Sequence, residues 1–290
     1  MGIELARRID AEIISMDSMA LYREMDIGTA KPSATEREIV PHHLIDVIEP
    51  NEEFSVAQYV EAADDAVRDI ESRKRIALFV GGTPLYLKAL LRGLFEGPEA
   101  DWTLRRRLEE QAAEQGSEAL HARLTEIDPS AAERLHPNDM RRIIRALEVF
   151  EKTGRPISQF QQQFDRARPA EQCHVFVLAW PRQMLHERID RRVEQMFEQG
   201  LVDEVRRLLD QYGQLSRTAG QGLGYREVLE HLDQKTDLEE TIHLVQTHTR
   251  QFAKRQETWF RSLSECQAIE MQDPLDVERV AEMIALSRNE

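Results

Sequence analysis

Two short, mainly apolar runs, which do not alternate regularly with polar residues, place the strongest limit on what this chain can fold into. They cover residues 11–16 (AEIISM) and 75–80 (RIALFV), and a third candidate follows at residues 174–180 (HVFVLAW). Continuous apolar runs of this length are typical of strands covered on both faces of a parallel sheet. A helix beginning after Ser55 is predicted over residues 56–73, because its apolar residues recur at helical spacing. The order strand, helix, strand predicts an α/β domain.

A long helical stretch interrupts this pattern. Residues 101–168 have helical periodicity, with breaks at Gly116, Asp128-Pro129, His136-Pro137 and Gly154. We therefore predict an inserted all-helical domain over residues 101–172. The α/β core is predicted to comprise residues 1–100 and 173–290, with further helices over 183–199, 201–212 and 238–263.

The beginning of the chain differs from that of an ordinary α/β domain. Residues 2–9 already have a helical pattern, and no apolar run precedes them. A parallel α/β domain ordinarily starts with a strand. We therefore expect the first strand and its loop to be missing from these 290 residues.

Composition excludes several classes of protein. The two cysteines, Cys173 and Cys266, form no C-x-x-C pair, which argues against a disulfide framework and a four-cysteine zinc site. There is no apolar run of 18 residues and no signal-peptide pattern, so we expect a cytoplasmic protein without a membrane partner. A net charge of −15 argues, taken alone, against nucleic acid. Basic residues nevertheless cluster at Arg141, Arg142 and Arg145, and again within 250–261.

Candidate site residues directly follow the first two apolar runs, where ligands bind in open α/β sheets. Asp17-Ser18 follows the first run, and Gly81-Gly82-Thr83-Pro84 follows the second. The glycines permit close backbone approach, Thr83 is a suitable N-cap and Pro84 suits the first helical position. The amides of residues 82–85 would then face an anion such as phosphate. Alternatively, Thr83 only caps, the glycines only turn, and Asp17 is an ordinary turn aspartate.

Together these residues suggest a transfer reaction that is assisted by a general base. An aspartate beside a diphosphate site could act as general base while an anionic leaving group departs, which is worth about 10²- to 10⁴-fold in rate. Arg188 and Arg191 share a helix face at spacing three and could meet the leaving-group charge, or they could be solvated.

Two further patterns are less specific. His42, His43 and Asp46 match no zinc spacing and are interpreted as a loop-to-strand junction. Arg141, Arg142 and Arg145 lie on a helix capped by Asp139, and they either cover a surface or contact a phosphate backbone.

In order along the chain, these segments resemble the tRNA dimethylallyltransferase family, whose members attach an isopentenyl group to N6 of the adenine 3′ to the anticodon. The resemblance extends from residue 1 to about residue 261. The motifs that carry it are Ile14-Ser15-Met16-Asp17-Ser18, Leu21-Tyr22, Met25-Asp26-Ile27-Gly28-Thr29-Ala30-Lys31-Pro32, Pro41-His42-His43-Leu44-Ile45-Asp46, Gly81-Gly82-Thr83, Leu85-Tyr86, His136-Pro137-Asn138-Asp139, Arg145-Ala146-Leu147-Glu148, Gly224-Tyr225 and Ala253-Lys254-Arg255-Gln256.

The resemblance implies a fold, partners and roles. The fold is an α/β, P-loop-NTPase-like parallel sheet core flanked by helices, with a helical insertion that clamps the anticodon stem-loop. The adenine would be flipped into a channel that dimethylallyl diphosphate enters from the other side. Asp17 would take the proton from the adenine amine, and the enzyme is expected to be a monomer. Diphosphate would be bound by Gly81, Gly82, Thr83 and Arg188 or Arg191. The tRNA would be bound by Asp17, Ser18, Met19, Ala20, Arg105, Arg141, Arg142, Ile143, Ile144, Arg145, Gly224, Tyr225 and Arg226.

One departure from the family pattern concerns the phosphate-binding loop. Family members begin with a strand and a Gly-rich P-loop, whose lysine and amides bind diphosphate and whose hydroxyl binds Mg²⁺. These 290 residues contain no such motif. The resemblance thus implies Mg²⁺ as cofactor, but its P-loop ligand is absent, and we predict weak binding of dimethylallyl diphosphate and little transfer. Two alternatives remain: a prenyltransferase acting on free adenine nucleotides, and an RNA-binding remnant without activity.

Overall fold

The computed structural model describes residues 1–94, 97–160 and 173–287. These residues form two compact units. The first contains residues 1–90 and 173–287, and the second contains residues 91–94 and 97–160. The predicted domain boundary at residue 172 lies outside the described residues.

A parallel sheet forms the centre of the first unit. Strand β1 (Ala11–Met16) lies between β2 (His42–His43) and β3 (Ile76–Gly81), and both pairings are parallel. Met16 pairs with Gly81, so that the carboxyl ends of β1 and β3 lie side by side. The predicted α/β class with a parallel sheet is confirmed.

The two predicted strands differ in burial. All six residues of β1 are buried, as its continuous apolar run predicts. Those of β3 are only partly buried or exposed, and Val80 is 37% exposed. The expectation that both strands are covered on both faces is therefore right for β1 and wrong for β3. Within the described residues β3 has one neighbouring strand, so it is an edge of this sheet.

Four helices lie between or beside these strands: α1 (Gly2–Arg8), α2 (Ala34–Ile39), α3 (Val56–Ser72) and α4 (Pro84–Arg92). Helix α3 begins where predicted, because Ser55 and Gln58 form a reciprocal capping box. Its residues Tyr59, Ala63 and Ile70 are buried at helical spacing.

The rest of the first unit contains a second sheet and most of its helices. Strands β4 (Val175–Ala179) and β5 (Cys266–Glu270) pair in parallel. The helices are α10 (Arg182–Glu198), α11 (Leu201–Tyr212), α12 (Tyr225–Leu232), α13 (Leu238–Arg261) and α14 (Val277–Ser287). One apolar cluster joins Leu5 of α1 and Ile284 of α14 to Leu78 of β3 and Phe176 of β4. The same helix layer therefore covers parts of both sheets.

The second unit is helical throughout its described residues. It contains α5 (Trp102–Gln115), α6 (Ser117–Ile127), α7 (Pro129–Arg134), α8 (Met140–Thr153) and α9 (Ile157–Phe160). Aspartates 101, 128 and 139 cap α5, α7 and α8, and Gly154 ends α8 in the left-handed conformation. Leu108, Leu124, Ile143 and Leu147 form the fully buried centre of its core.

None of the helices in the described ranges is long and apolar enough to cross a membrane.

Candidate active site

The carboxyl ends of β1 and β3 bring two predicted site segments into contact. The backbone N–H of Ser18 donates to Thr83 Oγ1 over 3.0 Å, and the two hydroxyl oxygens lie 3.5 Å apart. The N–H of Thr83 donates to the carbonyl oxygen of Met16 over 3.1 Å. Asp17 and Thr83 are therefore on the same edge of the sheet, because their strands run in parallel and end in register.

Asp17 is half-buried, and its surroundings are partly aromatic. Its Oδ1 accepts a hydrogen bond from the N–H of Met19 over 2.8 Å. Tyr59 and Tyr86 are both buried and stack on each other, with ring centroids 3.7 Å apart. Burial raises the pKa of both phenols, and the Asp17 charge raises it further. The carboxylate therefore lies within electrostatic range of a rigid aromatic pair, fixed in part because Tyr59 donates to the Ser15 carbonyl over 3.0 Å.

The glycine turn after β3 packs against Met16 on one side and Gln256 on the other. A Cβ atom at residue 81 would lie 2.2 Å from the carbonyl oxygen of Met16, so only glycine fits there. The carbonyl oxygen of Gly82 accepts a hydrogen bond from the Nε2 amide of Gln256. Helix α4 begins at Pro84, as predicted.

The row of amides expected at residues 82–85 is shorter than predicted. The N–H of Thr83 is used by Met16, and Pro84 has no N–H to offer. Gly82 and Leu85 supply the two amides of that row that remain as candidates for an anion. The Thr83 hydroxyl oxygen accepts a hydrogen bond from the Ser18 N–H. Thr83 therefore connects the ends of β1 and β3, which a residue that only caps a helix would not do.

Of the arginines on α10, the one near Asp17 is a residue that sequence reasoning missed. Arg188, Arg191 and Arg192 are all exposed residues. Partial desolvation of the guanidinium lowers the pKa of Arg192, and the charge of Asp17 opposes this shift. Arg188 stacks over Trp180, with its guanidinium carbon 4.3 Å from the ring centroid.

Helical geometry explains why Arg191 and Arg192 point in different directions. The buried side of α10 is formed by Ile189, Val193 and Met196. At about 100° per residue, Arg191 points away from that stripe and Arg192 borders it. The prediction that Arg188 or Arg191 binds diphosphate stays a prediction, and the position of Arg192 beside the buried stripe adds a further candidate.

Two of the predicted tRNA-binding residues in the first unit, Ala20 and Tyr225, have buried side chains. Ala20 is 6% exposed and Tyr225 is fully buried, with its hydroxyl donating to Glu204 over 2.6 Å. Gly222 packs so closely on Met19 that a Cβ there would lie 2.4 Å from the methionine Cε. Gly222 therefore packs directly against the segment after Asp17, and Tyr225 belongs to the apolar cluster on which Met19 packs.

Gly224 and Arg226 flank Tyr225 in the chain. The N–H of Gly224 donates to Glu227 over 2.9 Å, and Arg226 pairs with Glu227 and lies 2.8 Å from Nδ1 of His248. Glu227 is fully buried. Arg226 is thus part of an internal charge network.

The predicted arginines of the second unit divide into two groups. Arg105 and Arg145 both bind Glu148, which is fully buried, and Arg105 does so over 2.8 Å. Burial alone would raise the pKa of Glu148, but hydrogen bonds from Arg105, the Asp101 N–H and Arg145 lower it. Arg141 and Arg142 are exposed, and Arg142 pairs with Asp139. The side chains of Ile143 and Ile144 belong to the core of this unit.

The histidine pair forms strand β2. His43 Nε2 lies 2.7 Å from Glu12, and Asp46 accepts from Lys31 and Arg37 over 2.6 Å each. In the part of the chain that the structure describes, no group of three or more His, Cys, Asp or Glu side chains is placed to hold a metal ion.

Comparison with known proteins gives a consistent result. The sequence model of the IPP transferase family matches residues 20–263. A tRNA dimethylallyltransferase from Geobacter metallireducens is 48% identical over 265 residues, which is 91% of this chain and 86% of that protein. A tRNA dimethylallyltransferase from Desulforudis audaxviator is 49% identical over 260 residues, which is 90% of this chain and 84% of that protein.

Solved structures agree with these relatives. The full-length tRNA isopentenylpyrophosphate transferase from Bacillus halodurans superposes with a TM-score of 0.71 at 38% identity, covering 99% of this chain and 90% of that one. A eukaryotic dimethylallyltransferase acting on tRNA gives a TM-score of 0.79 at 28% identity, with 99% and 75% covered.

Proposed function

The chain belongs to the IPP transferase family, and on that premise we propose a site for its reaction and the atoms that take part. It is a prenyl transferase with a P-loop-NTPase-like fold, and it transfers a dimethylallyl group to an adenine of tRNA. The finer proposal is that the acceptor is N6 of the adenine 3′ to the anticodon, and that the donor is dimethylallyl diphosphate. The contact between the Asp17-Ser18 segment and Thr83 carries this proposal.

In the proposed step, the adenine N6 attacks C1 of the dimethylallyl group. The N6–C1 bond forms as the C1–O bond breaks, and diphosphate leaves with the electron pair of that bond. The Asp17 carboxylate takes one proton from N6, which balances the charge at the nitrogen. Oδ1 of Asp17 is already held by the N–H of Met19, so Oδ2 is the oxygen placed to accept this proton. General-base catalysis of this kind is worth about 10²- to 10⁴-fold.

The departing diphosphate needs donors and positive charge. We place it against the Thr83 hydroxyl and the amides of Gly82 and Leu85, where the N-terminus of α4 favours an anion. Arg192 is the cation near Asp17 that would compensate the charge of the leaving group. In this proposal Arg192 takes the role that the sequence suggested for Arg188 or Arg191.

The oxygens at this site are compatible with Mg²⁺. The hydroxyls of Ser18 and Thr83 lie 3.5 Å apart, and hard oxygen donors of this kind, with water and substrate phosphates, suit this ion. We assign these two hydroxyls as its protein ligands, direct or through water. Mg²⁺ would supply charge neutralisation at the diphosphate.

RNA binding would depend on local charge and on shape. The exposed Arg141 and Arg142 of the second unit are the residues that we assign to phosphate contacts. Ala20, Tyr225, Ile143 and Ile144 are assigned a supporting role, because their side chains are buried.

The Asp17→Asn variant tests the assignment of the base. Transfer of dimethylallyl to anticodon stem-loop RNA is measured under single-turnover conditions with excess enzyme, so that even a slow reaction of these 290 residues can be followed. We expect a loss of about 10²- to 10⁴-fold with unchanged RNA affinity, because only the proton acceptor is removed. Asp210→Asn is the matched control, since Asp210 is exposed on α11.

Three outcomes would contradict the proposal. Transfer by Asp17→Asn at the wild-type rate would remove Asp17 as the base. Transfer to AMP in preference to the stem-loop, or stem-loop binding without any transfer, would favour the free-nucleotide prenyltransferase or the RNA-binding remnant, respectively. Mass spectrometry of the product nucleoside identifies the modified nitrogen.

A further inference from the structure

We infer that Gln256 of α13 is a positioning residue for the turn that begins α4. The inference rests on the proposed function, because that turn is where we place the diphosphate. One peptide unit, between Gly82 and Thr83, is held at both of its ends. Its N–H donates to the Met16 carbonyl over 3.1 Å, and its carbonyl oxygen accepts from Nε2 of Gln256.

Two hydrogen bonds on one peptide plane restrict its rotation. In a trans peptide the N–H and C=O point in opposite directions, so the two bonds act from opposite sides. Met16 is part of β1 and Gln256 is part of α13, both regular elements. The orientation of this plane fixes where the Thr83 hydroxyl lies, and that hydroxyl meets the Ser18 N–H next to Asp17.

The fit between Gln256 and the turn is close. A Cβ atom at residue 82 would lie 2.6 Å from Nε2 of Gln256. A side chain there would displace the amide, so glycine at this position is explained by Gln256 as well as by the turn itself.

Helix α13 is also anchored to the helix that carries Arg192. Arg250 pairs with Asp190 of α10, and Gln246 donates to the Asp190 carbonyl over 3.4 Å. The same helix thus supports the turn through Gln256 and α10 through Arg250. Both parts of the proposed diphosphate site are therefore fixed relative to α13.

Loss of the Gln256 bond should affect the diphosphate more than the RNA. The turn would lose its support on one side, and displacements of about 1 Å at reacting groups can cost about 10²-fold in rate. For Gln256→Leu we expect a KM for dimethylallyl diphosphate raised about 10-fold or more and a lowered kcat. The Kd for stem-loop RNA should stay within about 2-fold of wild type. Gln251→Leu, an exposed glutamine of the same helix, should match the wild type.

Gln256→Glu gives a readout that a general packing role would not produce. A carboxylate would face the Gly82 carbonyl without a proton to donate, whereas the protonated acid can donate as the amide does. The ratio of Gln256→Glu to wild-type activity should therefore rise as the pH falls from about 8 towards the ordinary glutamate pKa of about 4.3. Gln251→Glu should keep a constant ratio.

Hydrogen exchange tests the inference without catalysis. The Thr83 amide should exchange faster in Gln256→Leu than in wild type, as measured on peptides that span residues 79–87, and Gln251→Leu should show no change. Absence of transfer by the wild type would count against the proposed function only. Wild-type exchange in Gln256→Leu, together with a pH-independent ratio for Gln256→Glu, would overturn the inference.

Discussion

Glu204 is a buried carboxylate that connects the segments packed next to the site. Its removal should lower the free energy of unfolding. It lies on α11, is 1% exposed and accepts four hydrogen bonds. These come from the N–H groups of Asp26 at 3.1 Å, Ile27 at 2.9 Å and Gly28 at 3.4 Å, and from the Tyr225 hydroxyl at 2.6 Å. The carboxylate therefore ties one loop to the start of α12.

The expected cost of Glu204→Ala follows from these donors. A buried donor left without a partner costs about 1–3 kcal/mol. Asp26 is exposed, so its N–H can find water, and the 3.4 Å contact of Gly28 is weak. The Ile27 N–H and the Tyr225 hydroxyl then account for most of the loss, and the truncated side chain adds to it. Two orphaned donors together predict a free energy of unfolding lowered by about 2–6 kcal/mol.

Urea denaturation measures this loss. The tryptophans Trp180 and Trp259 lie in the first unit and Trp102 lies in the second. Tryptophan fluorescence in a Trp102→Phe background therefore follows the unit that contains Glu204. Asp203→Ala is the matched control, because Asp203 adjoins Glu204 but forms an exposed pair with Arg206, and it should change the free energy by less than about 1 kcal/mol. A loss below about 1 kcal/mol for Glu204→Ala would refute this reasoning.

Three further predictions follow from the site and its neighbours. Gly81→Ala should destabilise the first unit by about 1–3 kcal/mol in urea, because its Cβ would meet the Met16 carbonyl, whereas Gly220→Ala, with ordinary 3.7 Å contacts, should change stability by less than about 0.5 kcal/mol. Arg192→Ala should weaken diphosphate inhibition of transfer about 10-fold or more, and Arg191→Ala should leave it unchanged; equal effects would contradict our choice of arginine. Because the folded-state pKa of Glu148 is lowered from 4.5, its contribution to stability is present above about pH 4.5 and is lost as the pH falls through the folded value. The stability difference between wild type and Glu148→Gln, from urea midpoints at several pH values, should therefore shrink in acid, and a constant difference would contradict this.

The elements of the fold that could be predicted were those with a strong local signal. The runs at residues 11–16 and 75–80 became β1 and β3, and Ser55 began α3 as its capping box requires. Burial of β3 could not be predicted, because it depends on which strands pair beside it. The loop-to-strand junction expected at His42-His43 agrees with β2, but its pairing with β1 could not be predicted from two residues.

For the site, the direction of the strands was more informative than any single residue. Asp17 and Thr83 could be expected to lie close together, because parallel strands end at the same edge. The partner of Gly82 could not be inferred, since Gln256 is 174 residues further along the chain. Fewer amides at residues 82–85 are available to an anion than predicted. The reason is that the N–H of Thr83 bonds to the Met16 carbonyl, and this follows only from the register of the sheet.

Net charge was a poor guide to the partner, and the ion pairs show why. A total of −15 suggests repulsion of RNA, but total charge does not describe where charge lies. Arg105 and Arg145 are paired with the buried Glu148 and Arg73 with the buried Glu12, so part of the charge of these arginines is already compensated within the fold. The prediction that Arg105 and Arg145 bind tRNA stays a prediction. The exposed cations include Arg141 and Arg142 of α8 and Lys254, Arg255 and Arg261 of α13. If some of these cations contact phosphates, stem-loop affinity should fall as the salt concentration rises. A Kd for stem-loop RNA that does not change between about 50 and 200 mM salt would contradict a role for these cations.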